Sequence, residues 1–125
     1  MSHFEKVLIT GAAGALGKVL RESGLALGGS VRLTDRIASE DLADHEEDMP
    51  VDLADFDAVM RAVEGCDAIV HLGGQSREGT WDAVLDSNIK GTYNIYEAAR
   101  QHGVERIVYA SSVPATGYYE RNQTI

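Results

Sequence analysis

Short apolar runs alternate along this chain with longer stretches whose apolar residues recur at helical spacing. Lys6-Val7-Leu8-Ile9-Thr10 is a β-branched-rich run ended by Gly11, the pattern of a buried parallel strand. From about Ala15 to Leu27 the spacing of Leu16, Val19, Leu20 and Ser23 predicts a helix, with Gly24 or Gly28-Gly29 placed to close it. Ser30-Val31-Arg32-Leu33-Thr34-Asp35 reads as a second strand, which completes one βαβ unit. A short third strand is expected at Asp48-Met49-Pro50-Val51. An aspartate-started helix then runs from about Asp55 to Glu64, with Phe56, Val59, Met60 and Val63 on one face and Gly65 just past its end. Ala68-Ile69-Val70-His71-Leu72 makes a fourth strand stopped by Gly73-Gly74. A long helix from roughly Trp81 to Gln101 is ended by Gly103, and a fifth strand, Arg106 to Ala110, is stopped by Ser111-Ser112. Strands alternating with helices imply a parallel sheet, and right-handed crossovers favour a doubly wound α/β sheet in the order 3-2-1-4-5.

The bulk numbers narrow this picture without changing it. A chain of 125 residues without repeat or linker suits one domain spanning 1–125. Apolar residues at 44% and charged residues at 25% match a soluble globular protein. The N-terminus leads directly into strand-like sequence, with neither a signal-peptide core nor a span of about 20 apolar residues, so a cytoplasmic location and no membrane partner are expected. Cys66 stands alone and reads as packing. His3, His45, His71 and His102 lack ligand spacing, and no metal site is expected.

The net charge of −9 is local. Nine acids and no Lys or Arg lie between Glu40 and Asp57, most simply a solvated loop with an acid-rich helix start. That balance argues against nucleic acid as a partner.

Candidate chemistry begins at the first strand-to-helix junction, "ITGAAGALG". Gly11 allows a tight turn out of the strand, Gly14 leaves room for a phosphate at the backbone, and Gly17 lets the helix pack closely on the strand. The helix start at Ala15 and Leu16 then offers unpaired amides and a positive dipole end to a pyrophosphate. Eighteen residues beyond Gly17, Asp35 closes the second strand, where a carboxylate can accept from both ribose hydroxyls of a dinucleotide. A 2′-phosphate there would meet like charge at a cost of roughly 4 kcal/mol at 4 Å, so NAD is favoured over NADP. Arg36 either turns to meet a phosphate or lies over the adenine or in solvent.

In a doubly wound sheet, ligands sit beyond the strand C-termini, which directs attention to the ends of strands one, four and five. Leu72-Gly73-Gly74-Gln75-Ser76 either lets a nicotinamide ribose approach or is a plain loop. Ser111-Ser112 is either a helix cap or part of a site. On the long helix, Trp81, Leu85, Asn88, Thr92, Ile95, Tyr96 and Ala99 share a face. The Asn88 amide there either ties down a neighbouring loop or contacts cofactor or substrate.

Together "TGAAGALG", Asp35, Asp52-Leu53, Leu72-Gly73-Gly74, Asn88 in "NIKGTYNIYEAAR" and "RIVYASS" resemble the N-terminal half of an extended short-chain dehydrogenase/reductase, a Rossmann-type fold of the epimerase/dehydratase kind. Within that family "DLAD", "GCDAIVHLGGQS", "YNIYEAARQHG" and "GYY" are most similar to uronate dehydrogenases. The resemblance implies oxidation of the C1 hemiacetal of a uronic acid to a lactone, with hydride passed to NAD. It implies that Ser112 is the catalytic serine bonded to the reacting hydroxyl and that Ser76 contacts substrate. Asp52 and Leu53 then border the adenine, while Leu72, Gly73 and Gly74 line the cofactor.

Two departures stand out. Val113-Pro114 occupies the place where uronate dehydrogenases typically show Asn-His, and neither Tyr118 nor Tyr119 has the lysine four residues on that the family's Tyr-x-x-x-Lys base requires. The expectation is therefore a cofactor-binding half, truncated before that helix, inactive alone and lacking the C-terminal strands and substrate lobe. Its fifth strand, with Ile107 and Val108, would be an open edge prone to self-association. The alternatives are a sugar-nucleotide epimerase or dehydratase, and a non-catalytic NAD-binding or sensing module.

Overall fold

A computed structural model describes residues 4–23, 26–117, 120 and 122. Five strands, β1 (Lys6–Thr10), β2 (Ser30–Thr34), β3 (Glu46–Asp48), β4 (Ala68–His71) and β5 (Arg106–Tyr109), form one sheet. All pairings are parallel and the order is β3-β2-β1-β4-β5, as the alternation of elements predicts. Thr10 lies opposite Thr34 on one side and His71 on the other, so three central strands end level.

Strand alternation sorts the core into two layers. Leu8 and Ile69 face α2 (Phe56–Val63) and α4 (Gly91–His102), where Val59, Val63, Ile95 and Ala98 are buried against them. Ile9, Val31 and Leu33 face the other way, covered by Leu20 of α1 (Ala15–Glu22) and by Leu27. Caps set the helix ends: the Asp55 carboxylate accepts from the Ala58 amide at 3.1 Å, and Gly103, with φ +68°, ends α4 in the left-handed region. Among the described residues no helix is long and apolar enough to cross a membrane.

Several boundaries differ from the sequence reading. Helix α1 stops at Glu22 rather than Leu27, and the Ser23 hydroxyl donates to the Leu20 carbonyl at 2.6 Å. Leu27 is thereby freed to pack half-buried against the core. Leu16 and Val19 are 65% and 64% exposed, because α1 meets the sheet through Gly17. Gly24 lies outside the described residues. Strand β3 begins at Glu46, two residues earlier than expected, although the Met49 and Val51 amides still bond to Leu33 and Asp35 carbonyls.

The predicted long helix exists as α3 (Trp81–Val84), a π-helical stretch Leu85–Lys90 and then α4. The wider turn shifts the helical phase. Gly91, Asn94, Ile95, Ala98 and Ala99 are buried, whereas Trp81 and Tyr96 are exposed. A last short helix, α5, covers Pro114–Gly117.

The acidic segment is more than a solvated loop. Glu46 pairs with Arg21 at 2.8 Å, and Glu47 pairs with Lys6 at 2.9 Å and with Arg32 at 2.8 Å. Hydrogen bonds from Arg21 to Glu46, and from Lys6 and Arg32 to Glu47, hold both carboxyls below the usual range. Arg32, buried within β2, also donates to the carbonyls of Ala62 at 2.7 Å and Glu64 at 2.8 Å, which tie the C-terminus of α2 to the sheet.

Candidate functional site

Strand order reverses between β1 and β4, so the chain leaves these strands toward opposite faces and a cleft of about 350 Å³ opens beyond their ends. Its first wall is the β1–α1 turn. Gly11 has φ +68°, and a Cβ there would lie 2.8 Å from the Gly73 amide nitrogen. A Cβ at Gly17 would lie 2.5 Å from the Ala12 carbonyl oxygen, so only glycine lets α1 descend onto the turn. Gly14 caps α1 from an extended conformation without a side-chain bond and faces the cleft with Ala15 and Leu16. The first-turn amides of a helix have no partner within it, and this start carries no acidic residue to meet them. The donors and the bare backbone fit a diphosphate.

Asp35 forms the second wall. Its carboxylate accepts from the Ala13 amide at 3.1 Å and from the Arg36 amide at 2.7 Å, and is thus aimed before any ligand arrives. Arg36 lines the same end, as do Val51, Asp52 and Leu53. Asp52 accepts from the Ala54 amide at 2.9 Å, and the Leu53 carbonyl is held by Asn94 Nδ2 at 2.7 Å. The Thr34 hydroxyl, buried and without a partner among the described residues, also borders this end.

The floor is the end of β4. Leu72, Gly73 and Gly74 line it, and the Gly73 amide donates to Thr10 Oγ1 at 2.9 Å. Thr10 Oγ1 lies 2.6 Å from His71 Nδ1, and His71 Nε2 lies 3.3 Å from Thr92 Oγ1. Burial lowers the His71 pKa to about 4, so the ring is neutral at pH 7. Ser76 lines the far wall with Ala83, Asp86 and Ser87, which come from α3 and the π-helical stretch.

Three residues singled out in the sequence lie apart from this lining. Gly17 acts beneath it, through packing. Asn88 is committed to the loop after β4: its Oδ1 accepts from the Gln75 amide at 2.6 Å and its Nδ2 donates to the Gln75 carbonyl at 3.1 Å. Ser112 is exposed between β5 and α5, its carbonyl accepting from the Ala115 amide at 3.0 Å. Tyr118 and Tyr119 lie outside the described residues.

Sequence reasoning missed Thr34, Val51, Ala83, Asp86 and Ser87 as lining. The first two adjoin Asp35 and Asp52 and were within reach of the strand-end rule. Asp86 and Ser87 lie in the π-helical turn, which has no sequence signal here, and Ala83 lies in α3 just before it. Among the described residues no group of three or more His, Cys, Asp or Glu side chains could hold a metal ion.

A parallel doubly wound sheet with a bare helix start and a strand-end carboxylate in one cleft defines an α/β protein of the Rossmann-like class. Over residues 7–124 the sequence matches, and the chain belongs to, the NAD dependent epimerase/dehydratase family. It is 50% identical over 123 residues to a uronate dehydrogenase of Pseudomonas syringae, covering 98% of this chain and 45% of that one. A crystal structure of glucuronic acid dehydrogenase from Chromohalobacter salexigens superposes with a TM-score of 0.90 at 46% identity, over 98% of this chain and 46% of that one. A point mutant of the uronate dehydrogenase of Agrobacterium tumefaciens, in complex with NAD, gives 0.87 at 49% identity, over 92% and 43%. The chain thus spans about half the length of the relatives it matches.

Proposed function

We propose that this chain is the NAD-binding portion of a dehydrogenase that oxidises the C1 hemiacetal of a uronic acid to a lactone. The observation that carries the reading is the convergence of Gly14, the α1 N-terminus and a pre-aimed Asp35 carboxylate on one cleft. Similarity to enzymes named uronate and glucuronic acid dehydrogenase supplies the substrate class. In this reading the amides of Ala15 and Leu16 meet the diphosphate, Asp35 accepts from the adenosine ribose hydroxyls, and Asp52 and Leu53 border the adenine. Leu72, Gly73 and Gly74 let the second ribose approach the backbone. When bound, NAD supplies the hydride acceptor. Ser112 and Ser76 orient the sugar, with Ser112 accepting or donating at the reacting hydroxyl, and Asn88 acts by fixing the Gln75–Ser76 loop.

Titration calorimetry with NAD and NADP tests the cofactor. NAD is expected to bind at least about tenfold tighter than NADP, since Asp35 opposes a 2′-phosphate. Turnover of glucuronate and galacturonate, in a protein carried to the relatives' full length, tests the chemistry. Conversion of a nucleotide sugar without net NADH would replace the dehydrogenase reading with an epimerase one.

The edge of β5 supports a further proposal, self-association through strand pairing. Ile107 is half-buried, but Val108 is 56% exposed on a strand whose outer edge pairs with no other strand among the described residues. Val108→Lys is expected to shift sedimentation toward the monomer, and an unchanged profile would remove this edge as the interface.

A further inference from the structure

Beneath the cleft floor runs a hydrogen-bond chain that does not touch the cleft except through Gly73. Thr10 is fully buried, and among the described residues its Oγ1 meets two partners, the Gly73 amide at 2.9 Å and His71 Nδ1 at 2.6 Å. An N–H can only donate, so the hydroxyl accepts from Gly73, and among the described residues its own proton finds an acceptor only at Nδ1. Nδ1 is therefore the acceptor, and Nε2 carries the ring proton and donates to Thr92 Oγ1 on α4 at 3.3 Å. The ring is 1% exposed and stacks on Tyr109 of β5, with centroids 5.5 Å apart and planes 18° from parallel.

This geometry makes the chain directional. Gly73 donates to Thr10, Thr10 to His71, and His71 to Thr92, so one imidazole joins β1, β4, the floor turn and α4. The floor has little room to drift: a Cβ at Gly11 would already be 2.8 Å from the Gly73 nitrogen, and one at Gly73 would be 2.8 Å from Leu53 Cδ1.

We propose that His71 is a positioning residue, which through Thr10 and Thr92 sets the height of the Gly73-Gly74 floor against α4 and thereby the affinity of the cleft for its dinucleotide. For its ligand the proposal rests on the NAD reading above. His71 is not a cleft-lining group, so it acts on the ligand only through Gly73.

Two variants of the whole chain test it. His71→Phe keeps a ring for Tyr109 and removes both hydrogen bonds, while Thr92→Val, at a half-buried site, removes only the α4 link. At pH 7 the imidazole ¹⁵N spectrum of the unaltered protein is expected to show the Nε2-protonated tautomer. In His71→Phe, amide exchange at Gly73 is expected to quicken about tenfold relative to Ile69, with NAD affinity by calorimetry falling about tenfold. Thr92→Val is expected to show the same two changes at smaller size, and carries the test if His71→Phe does not fold. A proton on Nδ1, or Gly73 exchange and NAD affinity unchanged in the variants, would overturn the proposal. If the unaltered protein binds no NAD, the cofactor reading fails, while the tautomer and Gly73 exchange still decide whether His71 sets the floor.

Discussion

Gly17 has no side chain to offer chemistry, yet a methyl group there would sit 2.5 Å from the Ala12 carbonyl oxygen and 2.6 Å from that of Gly11. Both are backbone atoms, which cannot swing aside. Accommodating the methyl means lifting α1 away from the β1 turn, and Gly14 with its neighbouring amides would move too. Gly17→Ala is expected to lower stability by about 1–3 kcal/mol, the usual cost of overpacking, and to weaken NAD binding; urea unfolding and calorimetry measure the two effects. Asp35 contrasts with it. Its carboxylate is held by two main-chain amides, so its aim is prepared by the loop itself and little ordering remains to oppose binding.

Among the elements, α2 depends on a residue outside it. The Ala62 and Glu64 carbonyls at its C-terminus receive Arg32 of β2, which is also bonded to Glu47. Arg32→Met keeps the apolar stem but leaves those carbonyls without their charged donor. A loss of about 2–3 kcal/mol is expected in urea unfolding, the scale of hydrogen bonds to a charged group. The helix 81–102 shows a second dependence. Its spacing in sequence announces one helix, but the π-helical stretch Leu85–Lys90 holds Asn88 against the Gln75 backbone. That stretch also brings Asp86 and Ser87 to the cleft. Such a turn is a tertiary device, since nothing in "LDSNIK" favours it over an ordinary α-turn.

For the whole molecule, acid is expected to act through His71. The folded ring has its pKa lowered to about 4 from 6.5 by burial, so the unfolded chain binds a proton that the folded one refuses. The stabilisation is complete above pH 6.5 and is lost as pH falls toward 4, at up to about 1.4 kcal/mol per pH unit. Glu46 and Glu47, whose carboxyls are held below the usual range, add their own loss only at lower pH. Urea midpoints between pH 6.5 and 5 therefore isolate the histidine. They are expected to drop with acid in the unaltered protein and to stay nearly flat in His71→Phe; parallel curves would show that His71 is not the titrating group.

The sequence alone determined the five strands, their parallel order and the junction where Gly11, Gly14 and Gly17 meet a helix, because these follow from local periodicity and from the few ways βαβ units connect. It also placed Asp35 and Leu72 to Gly74 at strand ends, from which the sheet register alone carries them to one cleft. Only the tertiary structure decided which way α1 turns its apolar residues, where the π-helical turn falls, and that Arg32 and Asn88 serve the backbone, and His71 the threonine hydroxyls, of other elements. Those choices rest on contacts between segments far apart in the chain, 61 residues in the case of Thr10 and His71. A periodicity read along one segment carries no information about the partner that a polar side chain will find across the core.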